Sequence, residues 1–241
     1  MIQHFPAPQI RSLFPELPTS KHFGISQGNH VATAGYGLLG DFSDVGSYWS
    51  TTPTEGFDSG GPYLEFDTTA TQQRSGWGSI IAITENSLNP KVFFKFRINP
   101  TTNMRVLMGL TGAGAVSIQT NNTPFANAEG FGLLADSAQA NFQVIHNDGD
   151  ASQNNEDTGI ALSTGSRSFY FDVTEDGTRV DWYFWNTDQD VDGVAADASG
   201  TVTTELPVST TDLFLNFLIY NTTAASKVLR RRSIIIKCDS G

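Results

Sequence analysis

Apolar and polar residues alternate with period two over much of this chain. Val92, Phe94, Phe96 and Ile98 face one way while Lys91, Phe93, Lys95 and Arg97 face the other, and Met104, Val106, Met108 and Leu110 repeat the pattern. Successive side chains of a strand point to opposite faces, so these runs predict half-buried strands. The same alternation recurs at Phe142-Val144-His146, Phe169-Phe171-Val173, Val180-Trp182-Phe184 and Leu213-Leu215-Phe217-Ile219. Further strands are expected over 63–67, 77–84, 130–135 and 201–205, and a run from Val228 to Cys238 closes the chain. Between them lie turn clusters, among them Asn121-Asn122-Thr123-Pro124, Asn147-Asp148-Gly149-Asp150 and Glu175-Asp176-Gly177-Thr178. The last, joining two alternating runs through Asp-Gly, is a hairpin signal. No helix of normal length and no fixed-period repeat is visible. Many short strands without a βαβ rhythm predict an all-β, two-sheet antiparallel β-sandwich.

The first thirty-five residues read differently. Prolines at 6, 8, 15 and 18 interleave with large apolar residues that include Phe5, Phe14 and Leu17. Proline fixes φ and removes a donor, so residues 1–35 are expected to form an extended arm, with residues 36–241 as the sandwich domain. Apolar groups on such an arm need cover. Phe5, Phe14 and Leu17 are therefore candidate anchors, either along the arm's own domain or on a neighbouring subunit. Residues 36–61 read equally as a first strand or as more of the arm.

Composition narrows the function classes. The formal net charge of −11 opposes a general nucleic-acid binder, which needs clustered Lys and Arg. The basic run Arg230-Arg231-Arg232 sits in an alternating stretch that sends its side chains to opposite faces. The single cysteine, Cys238, excludes an internal disulfide framework and Cys-rich zinc patterns. No stretch approaches the ~20 apolar residues of a membrane helix, and the first residues lack the basic and apolar regions of a secretory signal. Neither nucleic acid nor membrane is an expected partner.

The run Gly130-Phe131-Gly132-Leu133, then Asn141 to Gly149, then Asp157-Thr158-Gly159-Ile160, resembles the concanavalin A-like lectin/glucanase sandwiches, in the laminin-G-like form found in phage and other virus structural proteins. Phe169 to Val173, Asp176-Gly177 and Val180 to Phe184 are similar to that family's hairpin into an aromatic strand. The resemblance covers about 40–237 and implies a jelly-roll sandwich of concanavalin A-like type. It carries fold better than function. Enzymes of this superfamily place closely spaced acids on one strand; here Glu65 and Asp67 are two apart but lack a third. Phe57 to Pro62 is similar to the segment around a serine-protease nucleophile, yet too little chain precedes Ser59 to carry that fold's other catalytic residues.

Three groups remain as candidate sites. Asp188-x-Asp190-x-Asp192-Gly193 matches the first half of a calcium loop, whereas Ser199 stands where its bidentate glutamate belongs. Asp188, Asp190 and Asp192 are thus metal candidates, and calcium is the one cofactor suggested, none being required. Asn147 and Asp148, followed by Asn154 to Asp157, form amide- and acid-rich loops able to hold sugar hydroxyls or simply to make turns. Tyr183 and Trp185 should point outward from their strand and could stack on a sugar, while His146 should face inward as a hydrogen-bonded core histidine. Two roles follow as expectations. The first is a non-enzymatic virion structural protein, located in the virus particle and contacting other virion proteins and copies of itself. The alternative is a carbohydrate-binding module, calcium-assisted, that attaches to cell-surface glycans.

Overall fold

The computed structural model describes residues 22–27, 45–47, 54–58, 61–69, 74–79, 84–99, 102–112, 123–187 and 193–237. These form β1 (His22–Gln27), β2 (Val45–Ser47), β3 (Thr54–Asp58), β4 (Gly61–Thr68), β5 (Arg74–Ser79), β6 (Thr84–Glu85), β7 (Lys91–Asn99) and β8 (Met104–Thr111). They continue with β9 (Glu129–Asp136), β10 (Asn141–Asp148), β11 (Asn154–Ala161), β12 (Gly165–Thr174), β13 (Arg179–Trp185), β14 (Ala198–Val202), β15 (Asp212–Asn221) and β16 (Lys227–Lys237). Two single 3₁₀ turns, Asn86–Leu88 and Glu175–Gly177, are the helical elements among the described residues.

The strands make two antiparallel sheets. Sheet A runs β14-β13-β12-β7-β16-β4-β3, with β1 also paired to β16; sheet B runs β11-β10-β9-β8-β15-β5-β2, with β6 also paired to β15. Of the expected arm, the described segment His22–Gln27 is a strand, its Ile25 opposite Ile235 of β16. Within 36–61, β2 and β3 are strands as well. Phe5, Phe14 and Leu17 lie outside the described residues.

The core follows directly from the alternation. Val92, Phe94, Phe96 and Ile98 of β7, and Met104, Val106, Met108 and Leu110 of β8, are all fully buried between the sheets. They pack with Phe131, Phe142, Phe169, Phe171, Phe184 and Phe217 in one continuous cluster. Phe131 meets Phe171 edge-on at 4.8 Å between ring centres, a geometry that the ring quadrupoles favour. Each such ring buried stabilises by about 1.5–3 kcal/mol.

The outer faces are also partly covered, which alternation alone did not disclose. On sheet B, Leu107, Leu134, Ile145, Leu218 and Tyr220 form a second apolar layer with Phe125, from the turn before β9. On sheet A, Phe93, Tyr170 and Trp185 form a third, flanked by Tyr183 and by Ala196 from the segment leading into β14. Trp185 therefore does lie on the outer face but is not exposed: it is 1% accessible, and its Nε1 donates to the Val194 carbonyl at 2.9 Å. A connection folded over the sheet supplies this cover.

A second expectation is corrected at Asn154 to Asp157. These residues belong to edge strand β11, with Asn154 opposite His146 and Asp157 opposite Gln143, and do not form a free loop. Its neighbour across the sandwich is β14, and between the two edges Trp182 Nε1 donates to Glu156 Oε2 at 3.0 Å. An indole and a carboxylate close this side of the sandwich.

Candidate functional site

Two turns meet at one end of the sandwich. The first follows β10, where Gly149 takes φ 102°, in the left-handed region that glycine occupies without strain. The second is the connection from β14 to β15, where Glu205 has φ 52°. One ligand oxygen from each of Asp148, Asp150 and Glu205 falls within 4.8 Å of the others, and all three side chains are exposed. Chain neighbours alone could not have indicated this set, because Glu205 lies far from the other two in sequence.

Buried polar side chains fix both turns. Asn147 is wholly buried and its Nδ2 donates to the carbonyls of Phe125 at 2.7 Å and Asp150 at 2.9 Å. The Asp150 carbonyl also accepts from the Asn127 backbone N–H at 2.7 Å. The Asp150 backbone N–H donates to Asp148 Oδ1 and that of Ser152 to Asp150 Oδ1. His146, 4% accessible, faces inward as its register requires, and its Nδ1 lies 3.0 Å from the Glu205 carbonyl. One turn is thus tied through Asn147 and the other through His146, two adjacent residues on opposite faces of β10.

Proximity of like charges sets the electrostatics. The negative charge of Asp148 is the main influence raising the Glu205 carboxyl above the ordinary glutamate range, followed by slight desolvation and the charge of Asp150, with His146 opposing. A bound cation would relieve this repulsion. Ca²⁺ takes six to eight oxygens from carboxylates, carbonyls and water, so three clustered carboxylates on exposed turns fit such an ion chemically.

The candidates read from the sequence separate accordingly. Asp148 is in the cluster. Asn147 is not a solvent-facing ligand: both hydrogens of its amide are spent on backbone carbonyls, and it shapes the turn instead. Tyr183 is half-buried on sheet A, stacked between Tyr170 and Trp185 with ring centres 5.9 and 6.2 Å away. That aromatic row is on another face of the molecule, not beside the acidic turns. Burial, and then the charge of Asp172, drive the Tyr170 hydroxyl far up, and it donates to Asp172 at 3.0 Å. Asp188, Asp190 and Asp192 lie outside the described residues. Glu65 and Asp67, the nearest approach to a catalytic pair, are engaged by Arg230 at 2.6 Å and by Ser226 at 3.0 Å.

No protein-family model matches the chain, and no curated protein matches it. Solved structures do. A carbohydrate esterase of the Shiga toxin-encoding bacteriophage phi24B is 12% identical, with a TM-score of 0.55 over 92% of this chain and 100% of that one. The carbohydrate recognition domain of Emp47p is 9% identical, with a TM-score of 0.58 over 93% and 100%. The exoplasmic/lumenal domain of VIP36 in its Ca²⁺-bound form is 10% identical, with a TM-score of 0.58 over 91% of each chain; a further structure of that domain holds Ca²⁺ and Man3GlcNAc. A Bacillus licheniformis β-glucanase shares the architecture too, at 10% identity and a TM-score of 0.54, over 91% of this chain and 99% of that one. The protein is a concanavalin A-like β-sandwich.

Proposed function

We propose that this chain is a non-enzymatic glycan-binding sandwich that holds sugar hydroxyls, with a calcium ion, where Asp148, Asp150 and Glu205 meet. The observation that carries the reading is the convergence of three exposed carboxylates from two connections, each pinned by a buried side chain. Such a set supplies some of the oxygens a hard cation takes and leaves positions for ligand hydroxyls. The names of the lectin neighbours, one a carbohydrate recognition domain and one bound to Ca²⁺ and a mannose-containing glycan, lend the reading support. Glycosidic cleavage is no part of it, since Glu65, Asp67 and Glu156 are committed to Arg230, Ser226 and Trp182. A glycan array run with millimolar Ca²⁺ and again with chelator tests the reading. Selective, Ca²⁺-dependent binding that drops at least roughly tenfold in the D148N/D150N double variant is expected. An array blank in both conditions overturns the glycan reading, and release of reducing sugar from a bound glycan overturns the non-enzymatic one.

A second reading sets the same sandwich on a virus particle as a structural protein, in contact with other virion proteins and copies of itself. The likeness to a bacteriophage protein over the whole of that chain favours it. The proline-punctuated segment bearing Phe5, Phe14 and Leu17 would then be the anchor. Deleting residues 1–21 leaves β1 in place, so loss of particle association by a truncated but folded protein supports the anchor. Repeated absence of the chain from purified particles by mass spectrometry refutes the virion role.

A further inference from the structure

The end of the sandwich remote from the acidic turns holds an open depression of about 460 Å³, lined by Thr102, Asn103, Ser137, Gln139, Ala140 and Leu162. Three connections build it: β7 to β8, β9 to β10, and β11 to β12. Among the described residues, none that line it is charged, in a chain of net charge −11.

Backbone bonds tie the three connections to one another and to the sheets. The Ser137 N–H donates to the Met104 carbonyl at 3.0 Å, and the Met104 N–H returns to Ser137 Oγ at 3.2 Å. The Leu162 N–H donates to the Ala140 carbonyl at 2.9 Å and that of Thr222 to the Asn103 carbonyl at 3.0 Å. Beneath the wall, Asp136 accepts from the Ala138 N–H at 2.9 Å and from Arg105 Nε at 3.2 Å. Arg167 is 5% accessible, and among the described residues it has no carboxylate hydrogen-bond partner; its guanidinium donates to Ser163 Oγ at 2.5 Å and to the Ser166 carbonyl at 2.7 Å. The buried cation therefore fastens the segment next to Leu162.

By contrast, the side chains of Thr102, Asn103 and Gln139 engage no hydrogen bond among the described residues. A preformed wall thus presents two amides and two hydroxyls, with Ala140 and Leu162 for apolar contact. Amides pair donor and acceptor in the spacing of adjacent sugar hydroxyls, and uncharged walls impose no desolvated charge on a neutral ligand. Among the described residues, the lining offers a cation no free carboxylate, Asp136 beneath it being bonded to Arg105 and the Ala138 N–H, and offers an anion no exposed basic side chain.

We propose that this depression is a second binding site, metal-independent and specific for a neutral saccharide, with Asn103 and Gln139 as its main hydrogen-bonding groups. The site stands apart from the acidic turns and does not require that they bind glycan. Two sites at opposite ends would let one molecule bridge two chains of a glycan surface, raising avidity without new contacts.

The test is an NMR titration of the full chain in chelator, with glucose-, galactose- and mannose-terminated neutral oligosaccharides. One of them is expected to move the side-chain amide resonances of Asn103 and Gln139. Q139A, and N103G, which keeps the positive φ of 53° accessible, should each weaken that binding by roughly tenfold. D148N/D150N should leave it unchanged, which separates this site from the acidic one. The proposal is overturned if no neutral oligosaccharide moves these resonances at millimolar concentration, if Q139A and N103G both bind as the parent does, or if only sulfated glycans or peptides bind.

Discussion

Gly132 shows how strictly single positions are constrained. It pairs with Gly109 across β8 and β9 on the outer side of sheet B, and a Cβ there would lie 2.4 Å from the Met108 carbonyl oxygen. Real Cβ atoms do not approach a backbone so closely, so Gly132→Ala must push the strands apart. A loss of about 1–3 kcal/mol is expected in urea unfolding, with the m-value unchanged. Asp157 offers a different test at the same scale. Its carboxyl is held below the ordinary aspartate range, first by the Gly159 backbone N–H at 2.7 Å and then by the Asn141 amide. A depressed native pKa gives stability that is present above the unfolded value and lost as pH falls through the native one. Asp157→Asn should therefore flatten the acid limb of the melting temperature against pH while leaving its neutral shape intact. Residues also mark the limit of reading by alternation. The period placed Trp185 on the outer face correctly, yet it cannot reveal that the connection following β13 folds back through Val194 and Ala196 to cover that face. Asn147 has the composition of an exposed turn residue, but its burial depends on Phe125, which turn chemistry alone does not bring near.

At the scale of elements, the strands legible in the sequence are those buried on one regular face. β7, β8, β12, β13 and β15 each place alternate large side chains in the core. β11 was not legible, since an edge strand with the sequence Asn-Asn-Glu-Asp-Thr-Gly-Ile-Ala has little apolar face to show. β14 and β5 lie a few residues upstream of the stretches expected for them, because Gly, Ser and Thr dominate both. The acidic cluster escaped sequence reading for a topological reason: the packing of sheet A on sheet B, not strand pairing, brings the end of β10 beside the β14–β15 connection, and nothing local to Glu205 signals that. Sheet order carries its own prediction. β7 and β16 lie inside sheet A and β8 and β15 inside sheet B, whereas β11 and β14 are edges. Native-state hydrogen exchange should find the amides of β7, β8 and β15 slowest, opening only with global unfolding, and those of β11 and β14 orders of magnitude faster. Removing the edge closure with Trp182→Phe, which keeps the packing ring but not the bond to Glu156, should speed exchange in β11 and β14 selectively.

For the whole molecule, the single core decouples folding from ligand binding. Its aromatic cluster runs unbroken between the sheets and includes none of the three acidic-turn carboxylates, so the protein should fold without metal. Calcium should nevertheless stabilise it, because any ligand that binds only the native state does so by mass action. At a free concentration about one hundred times the dissociation constant the gain is about 2.7 kcal/mol, and a domain of this size gains roughly 2–4 °C in Tm for each kcal/mol. Differential scanning calorimetry should therefore find a cooperative transition in chelator that moves up by several degrees as Ca²⁺ is raised, and far less with Mg²⁺, which demands tighter octahedral geometry. In D148N/D150N the shift should vanish, while the transition in chelator stays put or rises slightly as repulsion around Glu205 is relieved. If Ca²⁺ moved that variant as far as the parent, the ion would be held elsewhere, with the Asp188, Asp190 and Asp192 run the next place to substitute. An unmoved parent at millimolar Ca²⁺ would leave the three carboxylates as a solvated end of the sandwich.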